Sequence, residues 1–225
     1  MVPGPARDRR PDRYAKDPAK EYPVKRELLV ATKNKKKLKE IKEILRGLGF
    51  KVTSIADYSG APRIIENGKS FRENAIKKAV QIARFANKLT LGEDSGLCVD
   101  ALSGAPGINS ARFSGKNKSD RQNNLKLLKM LEGLPLKKRK AHYISAVALA
   151  DKGGLFAVVE GSCSGFIGYD LKGGYGFGYD PLFIIPKYKK TFAELGSRVK
   201  HRMSHRFRAL KKVKLRLAIY LKKNP

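Results

Sequence analysis

The chain has 225 residues, 41% of them hydrophobic, enough for one globular domain with a sizeable core. Lys and Arg number 49 against 20 Asp and Glu, a formal charge of +29 that suits an anionic partner such as nucleic acid, polyphosphate or nucleotide, or else a solvated lysine-rich surface. No apolar run approaches the roughly 18 residues of a membrane span, the polar, Pro-rich start lacks the apolar stretch of a secretory signal, and Cys98 and Cys163, with no C-x-x-C spacing, read as buried reduced thiols; the expected compartment is the cytoplasm.

Residues 1–26 carry Pro3, Pro5, Pro11, Pro18 and Pro23 and few apolar side chains, which predicts a disordered basic arm ahead of a folded domain over 27–225. Residues 27–32 open that domain as a short buried strand through Leu28, Leu29, Val30 and Ala31. Leu38, Ile41, Ile44, Leu45 and Leu48 then recur at helical spacing, with most lysines off that stripe and Gly49 as the stop. Residues 50–55 read as a second strand. Ser70, with Glu73 three residues on, forms a capping box for a helix with Phe71, Ala75, Ala79, Ile82, Ala83 and Ala86 on its apolar face. Residues 90–93 and 97–102 read as strands on either side of an acidic turn. A Gly- and Pro-containing loop over 103–115, a helix over 119–131 and a basic loop over 137–140 follow. The apolar runs 141–151 and 155–164, joined by Lys152-Gly153-Gly154, predict a hairpin. Gly173, Gly174, Gly176 and Gly178 mark a loop before a strand over 182–185. Thr191 with Glu194 forms a second capping box over 191–195, and 204–221 predicts a terminal helix with Phe207, Leu210, Val213, Leu217 and Leu221 inward. Crossover helices together with a long hairpin imply an α/β fold on a mixed sheet.

Gly92-Glu93-Asp94-Ser95-Gly96 places adjacent carboxylates at the end of an apolar, strand-like stretch, where acids can bind Mg2+ and activate a water. Glu66, in the loop before the second helix, adds an oxygen ligand from a separate segment, or is a surface acid. Thr32 to Lys37, entering the first helix, offer N–H groups and the positive dipole end to a phosphate, with Asn34 as donor and Lys37 as charge. The glycines of a Walker loop are missing there, and an ordinary capped helix with wet lysines fits the same pattern. The glycines at 173–178 do not have dinucleotide-loop spacing and a strand follows, so Phe177 reads as a base-stacking residue or as a core aromatic in a tight turn. Cys163, between Gly161 and Gly165, sits in a hairpin, which argues against a nucleophile elbow. Ser204 caps the last helix and presents His205 and Arg206 as donors to a carbonyl or phosphate, or as two exposed polar residues. His142 and His201 lack metal-ligand spacing, which argues against zinc.

Taken in order, LLVATKNKKKLKEIKEIL, SFRENAIKKA, GEDSGLCVDALSGAPGINSARFSG, GGYGFGYDPLFIIP, KTFAEL and MSHRFRAL resemble the inosine/xanthosine triphosphate pyrophosphatase family, which removes deaminated purine nucleotides. The resemblance spans residues 28 to 221. It implies an α/β fold with an elongated central mixed sheet flanked by helices, two lobes with the active-site cleft between them, and a homodimer. It also implies Mg2+-dependent hydrolysis of ITP, dITP and XTP to monophosphate and pyrophosphate, which keeps those nucleotides out of DNA and RNA. On matching positions, Asp94 is the proton acceptor for the attacking water and, with Glu66 and Glu93, a metal ligand. Thr32, Asn34 and Lys37 hold the phosphates, with Lys33, Lys35 and Lys36 in the same substrate-binding turn. Ser95, Phe177, Gly178, Tyr179, Asp180, Lys200, His205 and Arg206 complete the nucleotide site. Lys33 stands where the family usually has Gly, and the arm and the charge of +29 are unusual for the family. Two rival readings are a nucleic-acid-binding protein on an inactive scaffold and a pyrophosphatase for other modified nucleotides. Retention of Asp94, Glu66, Lys37 and the His205-Arg206 pair favours purine hydrolysis.

Overall fold

The computed structural model describes residues 26–115 and 119–223, so the expected arm lies outside the described residues except for Arg26. The strands are β1 (Glu27–Val30), β2 (Lys51–Ser54), β3 (Thr90–Val99), β4 (Lys140–Asp151), β5 (Gly154–Ile167), β6 (Phe183–Ile185) and β7 (Lys190–Thr191). The helices are α1 (Lys35–Ile44), α2 (Phe71–Ala86), α3 (Asp120–Met130), α4 (Phe192–Met203) and α5 (His205–Lys223). One seven-stranded sheet runs β2-β1-β3-β4-β5-β6-β7. Its first three strands are parallel, because α1 and α2 are crossovers, and the rest are antiparallel, because β4 and β5 form the long hairpin.

Local chemistry sets most helix starts. Asn34 Oδ1 accepts from the Lys36 and Lys37 N–H groups at 2.9 and 3.1 Å, and Ser119 Oγ accepts from Gln122 N–H at 3.1 Å. Thr191 and Glu194 close a complete capping box. At Ser70 only half the expected box forms: Ser70 Oγ accepts from Glu73 N–H, while the Glu73 carboxylate takes the N–H of Lys69 in place of that of Ser70. The expected turn over 191–195 continues as α4 to Met203, across a non-helical Gly196 (φ 75°) that broke the apolar pattern. The loop expected at 103–115 contains a 3-10 stretch, Gly107–Arg112, and Lys140 belongs to β4.

The largest departure is at the acidic run. It is not a turn between two strands but the middle of β3, a continuous ten-residue strand. β4 pairs with it throughout, from Thr90 opposite Ala150 to Val99 opposite Ala141. Gly92 and Gly96 serve close packing there. A Cβ on Gly92 would lie 2.3 Å from the Ala75 carbonyl oxygen in α2, and one on Gly96 would lie 2.4 Å from Ser110 Oγ.

Strands β3, β4 and β5 are long enough to serve two cores. One holds Leu28, Ile41, Ile44, Leu91, Val147, Leu149, Leu210 and Val213, joining α1 and α5 to one face of the sheet. The other holds Leu97, Val99, Leu127, Tyr143, Ile167, Phe183 and Phe192, joining α3 and α4 to the far ends of the strands. α2 covers the opposite face of the first lobe, where Ala75, Ala79 and Ala83 meet Ala146, Ala148 and Ala150. β1 pairs with β3 only at Leu29–Thr90 and Val30–Leu91. Beyond Leu91 β1 leaves that side of β3, the segment 105–110 takes it up again at Leu97–Val99, and Asp94, Ser95 and Gly96 between them line the cleft. Cys98 and Cys163 are free and buried, and burial pushes both thiols up. Among the described residues, no helix is long and apolar enough to cross a membrane.

Candidate active site

The cleft is a cavity of about 810 Å³. β1 points into it, so Thr32, Lys33, Asn34 and Lys37 form one wall at the N-terminus of α1, where helix N–H groups and the dipole favour an anion. Thr32 Oγ1 accepts from the Asn34 N–H at 3.2 Å, so Thr32 and Asn34 also shape the turn itself. Lys35 and Lys36, expected in the same group, lie outside the cavity wall. Lys36 instead stands 3.6 Å from Asp120 and 5.8 Å from the centre of the Phe177 ring.

Adjacent side chains of a strand point to opposite faces, and this separates the two acids of β3. Asp94 faces α2. Lys78 Nζ donates to its Oδ1 at 2.8 Å and Asn74 Nδ2 to its Oδ2 at 3.2 Å. The same ammonium lies 3.1 Å from Glu66 Oε2. Burial lifts the Asp94 carboxyl above its ordinary range, against the pull of Lys78 and Lys37. Burial opposes the charge on Lys78, yet Asp94 and Glu66 hold its pKa above the ordinary value.

Glu93 faces α1 and α5 and does not line the cavity. Its Oε1 accepts from Arg206 Nη2 and Ser145 Oγ, each at 3.0 Å, and its Oε2 from Lys37 Nζ at 2.8 Å. Burial opposes its ionisation, but Arg206 and Lys37 hold the carboxyl well below the ordinary range. Among the described residues, no group of three or more His, Cys, Asp or Glu is arranged to hold a metal. Of the three expected ligands, only Glu66 and Asp94 converge, around Lys78. Mg2+ is commonly bound by one or two carboxylates with waters and substrate phosphates, and this pair, already gathered round one positive charge, fits that donor set.

From Glu93 an alternating series of charges crosses the cleft floor. Arg206 also pairs with Glu40, which sits 2.8 Å from Lys200 Nζ, and Lys200 reaches Asp180 Oδ2 at 2.6 Å. Asp180 further accepts the Phe177 N–H at 2.8 Å and so fixes the glycine loop. Tyr179 donates its hydroxyl to the Ser110 carbonyl at 2.9 Å, and Ser95 Oγ accepts from Arg206 at 2.9 Å. Gly178, with φ +64°, donates its N–H to Asp120 at 2.9 Å. Lys200 Nζ and Arg206 Cζ lie 4.5 and 5.7 Å from the centre of the Phe177 ring.

The reading of His205 and Arg206 as exposed residues of a cap is overturned. They are 4% and 2% exposed, because the first turn of α5 is packed under β4 and β5. His205 stacks on Tyr143 with centroids 4.6 Å apart, and its Nδ1 has no hydrogen-bond partner among the described residues. Burial, then the charges of Arg206 and Lys200, hold its pKa well below the ordinary value, so the ring is neutral near pH 7.

Sequence reasoning missed Lys78, Asn74 and Glu40. A signal existed for each. Asn74 and Lys78 fall beside Ala75 and Ala79 on the apolar face of α2, and Glu40 falls beside Ile41 on that of α1. A polar residue on a buried face needs a partner, and the partners lie in other elements.

A cationic cleft holding a desolvated carboxylate beside an ammonium suits a phosphorylated substrate. The chain belongs to the Ham1 family, whose model matches residues 28–215. It is 51% identical over 185 residues to the dITP/XTP pyrophosphatase of Desulforamulus reducens, covering 82% of this chain and 92% of that protein. It is 43% identical over 190 residues to the dITP/XTP pyrophosphatase of Bacillus subtilis, covering 84% and 96%. Among solved structures it resembles a HAM1 protein from Coxiella burnetii, with a TM-score of 0.78 and 36% identity over 86% of this chain and 98% of that one.

Proposed function

We propose that this chain is a dITP/XTP pyrophosphatase, which hydrolyses ITP, dITP and XTP at the α–β phosphoanhydride and releases the monophosphate and pyrophosphate. The observation that carries this reading is the setting of Asp94, a desolvated carboxylate bonded to Lys78 and Asn74 and lining the same cleft as the N-terminus of α1. Each Asp94 oxygen keeps a lone pair beyond those bonds, and raised proton affinity suits a group that takes a proton from water. Lys78 and Asn74 orient it. Lys37, Lys33 and the α1 N-terminus bind the phosphates and offset charge on the departing pyrophosphate. Glu66 and Asp94 would hold Mg2+, which would supply positive charge to the phosphoryl oxygens.

Base selection follows from the donors near Phe177. A 6-oxo purine set against that ring offers an acceptor to the cationic side, where Lys200 and Arg206 stand. Adenine presents an amino group there instead, and a buried donor left unpaired costs about 1–3 kcal/mol. The homodimer implied by the resemblance belongs to the same reading, and light scattering on the purified chain tests it.

The deciding experiment is pyrophosphate release from ITP, XTP, GTP and ATP with and without Mg2+. Fast Mg2+-dependent turnover of ITP and XTP, with ATP slow, is the expected result. Absence of turnover on all four would overturn the reading.

A further inference from the structure

We propose that the outer face of α1 and α5 is a docking surface for duplex nucleic acid, held through its phosphates. The two helices lie side by side on one face of the sheet and share a core of Ile41, Ile44 and Leu45 with Leu210, Val213 and Leu217. Lys39, Lys42 and Arg46 on one side, and Lys211, Arg216 and Lys222 on the other, are exposed. Carboxylates do not balance them. α5 has no Asp or Glu in its 19 residues. Of the acids in α1, Glu40 is buried against Arg206 and Lys200, and Glu43 pairs with His201 Nδ1 at 2.9 Å.

This arrangement works against the isolated helices. Arg208, Lys212 and Arg216 repeat at i, i+4, as do Lys42 and Arg46, and like charges at that spacing repel. A solvated surface helix ordinarily interleaves Glu with Lys. A bound polyanion turns the repulsion into attraction, because each neutralised phosphate releases counterions. The 19 residues of α5 extend about 28 Å, the rise of roughly eight base pairs.

The details favour a duplex over other polyanions. Neither helix has an exposed aromatic side chain, so the stacking platform of single-strand binders is missing from this face. A membrane surface would need a free apolar stripe, whereas that of α5 is buried on the sheet, leaving only Leu215 and Ile219 of its large apolar side chains exposed. The face is separate from the catalytic groups, and the inference does not rest on the assigned substrate.

The test uses the full chain and fluorescence anisotropy on labelled 20-base-pair DNA and RNA duplexes across a salt series, with phosphatidylserine vesicles as a parallel arm. The expected result is binding of duplex with a log–log salt slope of about −4 or steeper. A variant carrying Lys39→Glu, Lys42→Glu, Lys211→Glu and Arg216→Glu should lose about 100-fold or more in affinity at low salt. A charge-matched variant on other surfaces, with Arg84→Glu, Lys137→Glu, Lys138→Glu and Lys152→Glu, should stay within about 5-fold. Both should still release pyrophosphate from ITP. Lysine acetylation footprinting of the parent, which depends on no variant folding, should show Lys39, Lys42, Lys211 and Lys222 protected by duplex. Equal losses in the two variants, unchanged affinity in the first, stronger binding to vesicles than to duplex, or unprotected lysines would each overturn the proposal.

Discussion

Glu93 and Asp94 share a peptide bond and have opposite chemistry. The pleat sends Glu93 into a set of cationic donors that keep it ionised, and sends Asp94 to a cleft wall where burial raises its proton affinity. Replacing Asp94 with Asn keeps the shape and the contact with Asn74 but removes the proposed proton acceptor. Turnover of ITP should fall by about 10²–10⁴-fold, and the urea midpoint should also fall, because the buried Lys78 ammonium keeps only Glu66 as a close charge partner; near-normal turnover by the folded variant would remove Asp94 from that role. Arg206 tests the neighbouring carboxylate. Arg206→Met leaves Glu93 and Glu40 buried without their shared guanidinium, and losing one partner of a buried ion pair costs about 3–5 kcal/mol. Chemical denaturation should show a loss of that size, and a loss under about 1 kcal/mol would mean that Lys37 and Lys200 suffice.

At the scale of elements, close approach of backbones decides where the catalytic strand lies. α2 rests on Gly92, and the first turn of α5 rests on Gly161 of β5, where a Cβ would lie 2.4 Å from both Ala209 N and the His205 carbonyl oxygen. Neither contact can relax by rotating a side chain. Gly161→Ala should therefore push α5 outward, cost about 1–3 kcal/mol, and lower turnover because His205 and Arg206 ride on that turn. Unchanged stability in thermal melts would show that the helix shifts freely. The same contact explains the run Gly161-Ser162-Cys163-Ser164-Gly165, which imitates a nucleophile elbow. Its first glycine admits α5, and its last, Gly165, admits the ring of Phe183. Helix starts were legible because a cap is a contact within three residues, as at Asn34, Ser119 and Thr191. The continuation of α4 past Gly196 to Met203 and the continuity of β3 were not, because the first crosses a non-helical residue and the second depends on pairing with ten residues of β4.

For the molecule as a whole, the excess of positive charge gives acids structural weight. Glu27 accepts from Thr53 and Tyr58, each at 2.6 Å, and from Lys88, joining β1 to β2 and to the end of α2. Burial alone would raise its carboxyl, but bonds from Lys88, Thr53 and Tyr58 bring it down to about 2. A carboxyl with a pKa below its unfolded value stabilises the fold above that unfolded value, and the contribution disappears as pH falls through the folded one. Stability should thus decline between about pH 4.5 and 2, and Glu27→Gln should flatten that part of the profile in urea melts. Parallel profiles for parent and variant would show that other acids dominate.

The chain's own text was enough to indicate the α/β class, the capped helices, the hairpin and many residues that line the cleft, though not the absence of Glu93, Lys35 and Lys36 from its wall, since periodicity and caps act over a few positions and several motifs keep their order. It did not indicate that Glu93 and Asp94 part company, that His205 and Arg206 are buried, or that Lys78, Asn74 and Glu40 belong with them. Those outcomes depend on which distant segments are brought into contact: Arg206 meets Glu93 across 113 positions, and Lys78 meets Asp94 across 16. Which side chains share a desolvated space, and hence which carboxyl stays ionised and which gains proton affinity, is set by the packing of helices on both faces of one strand.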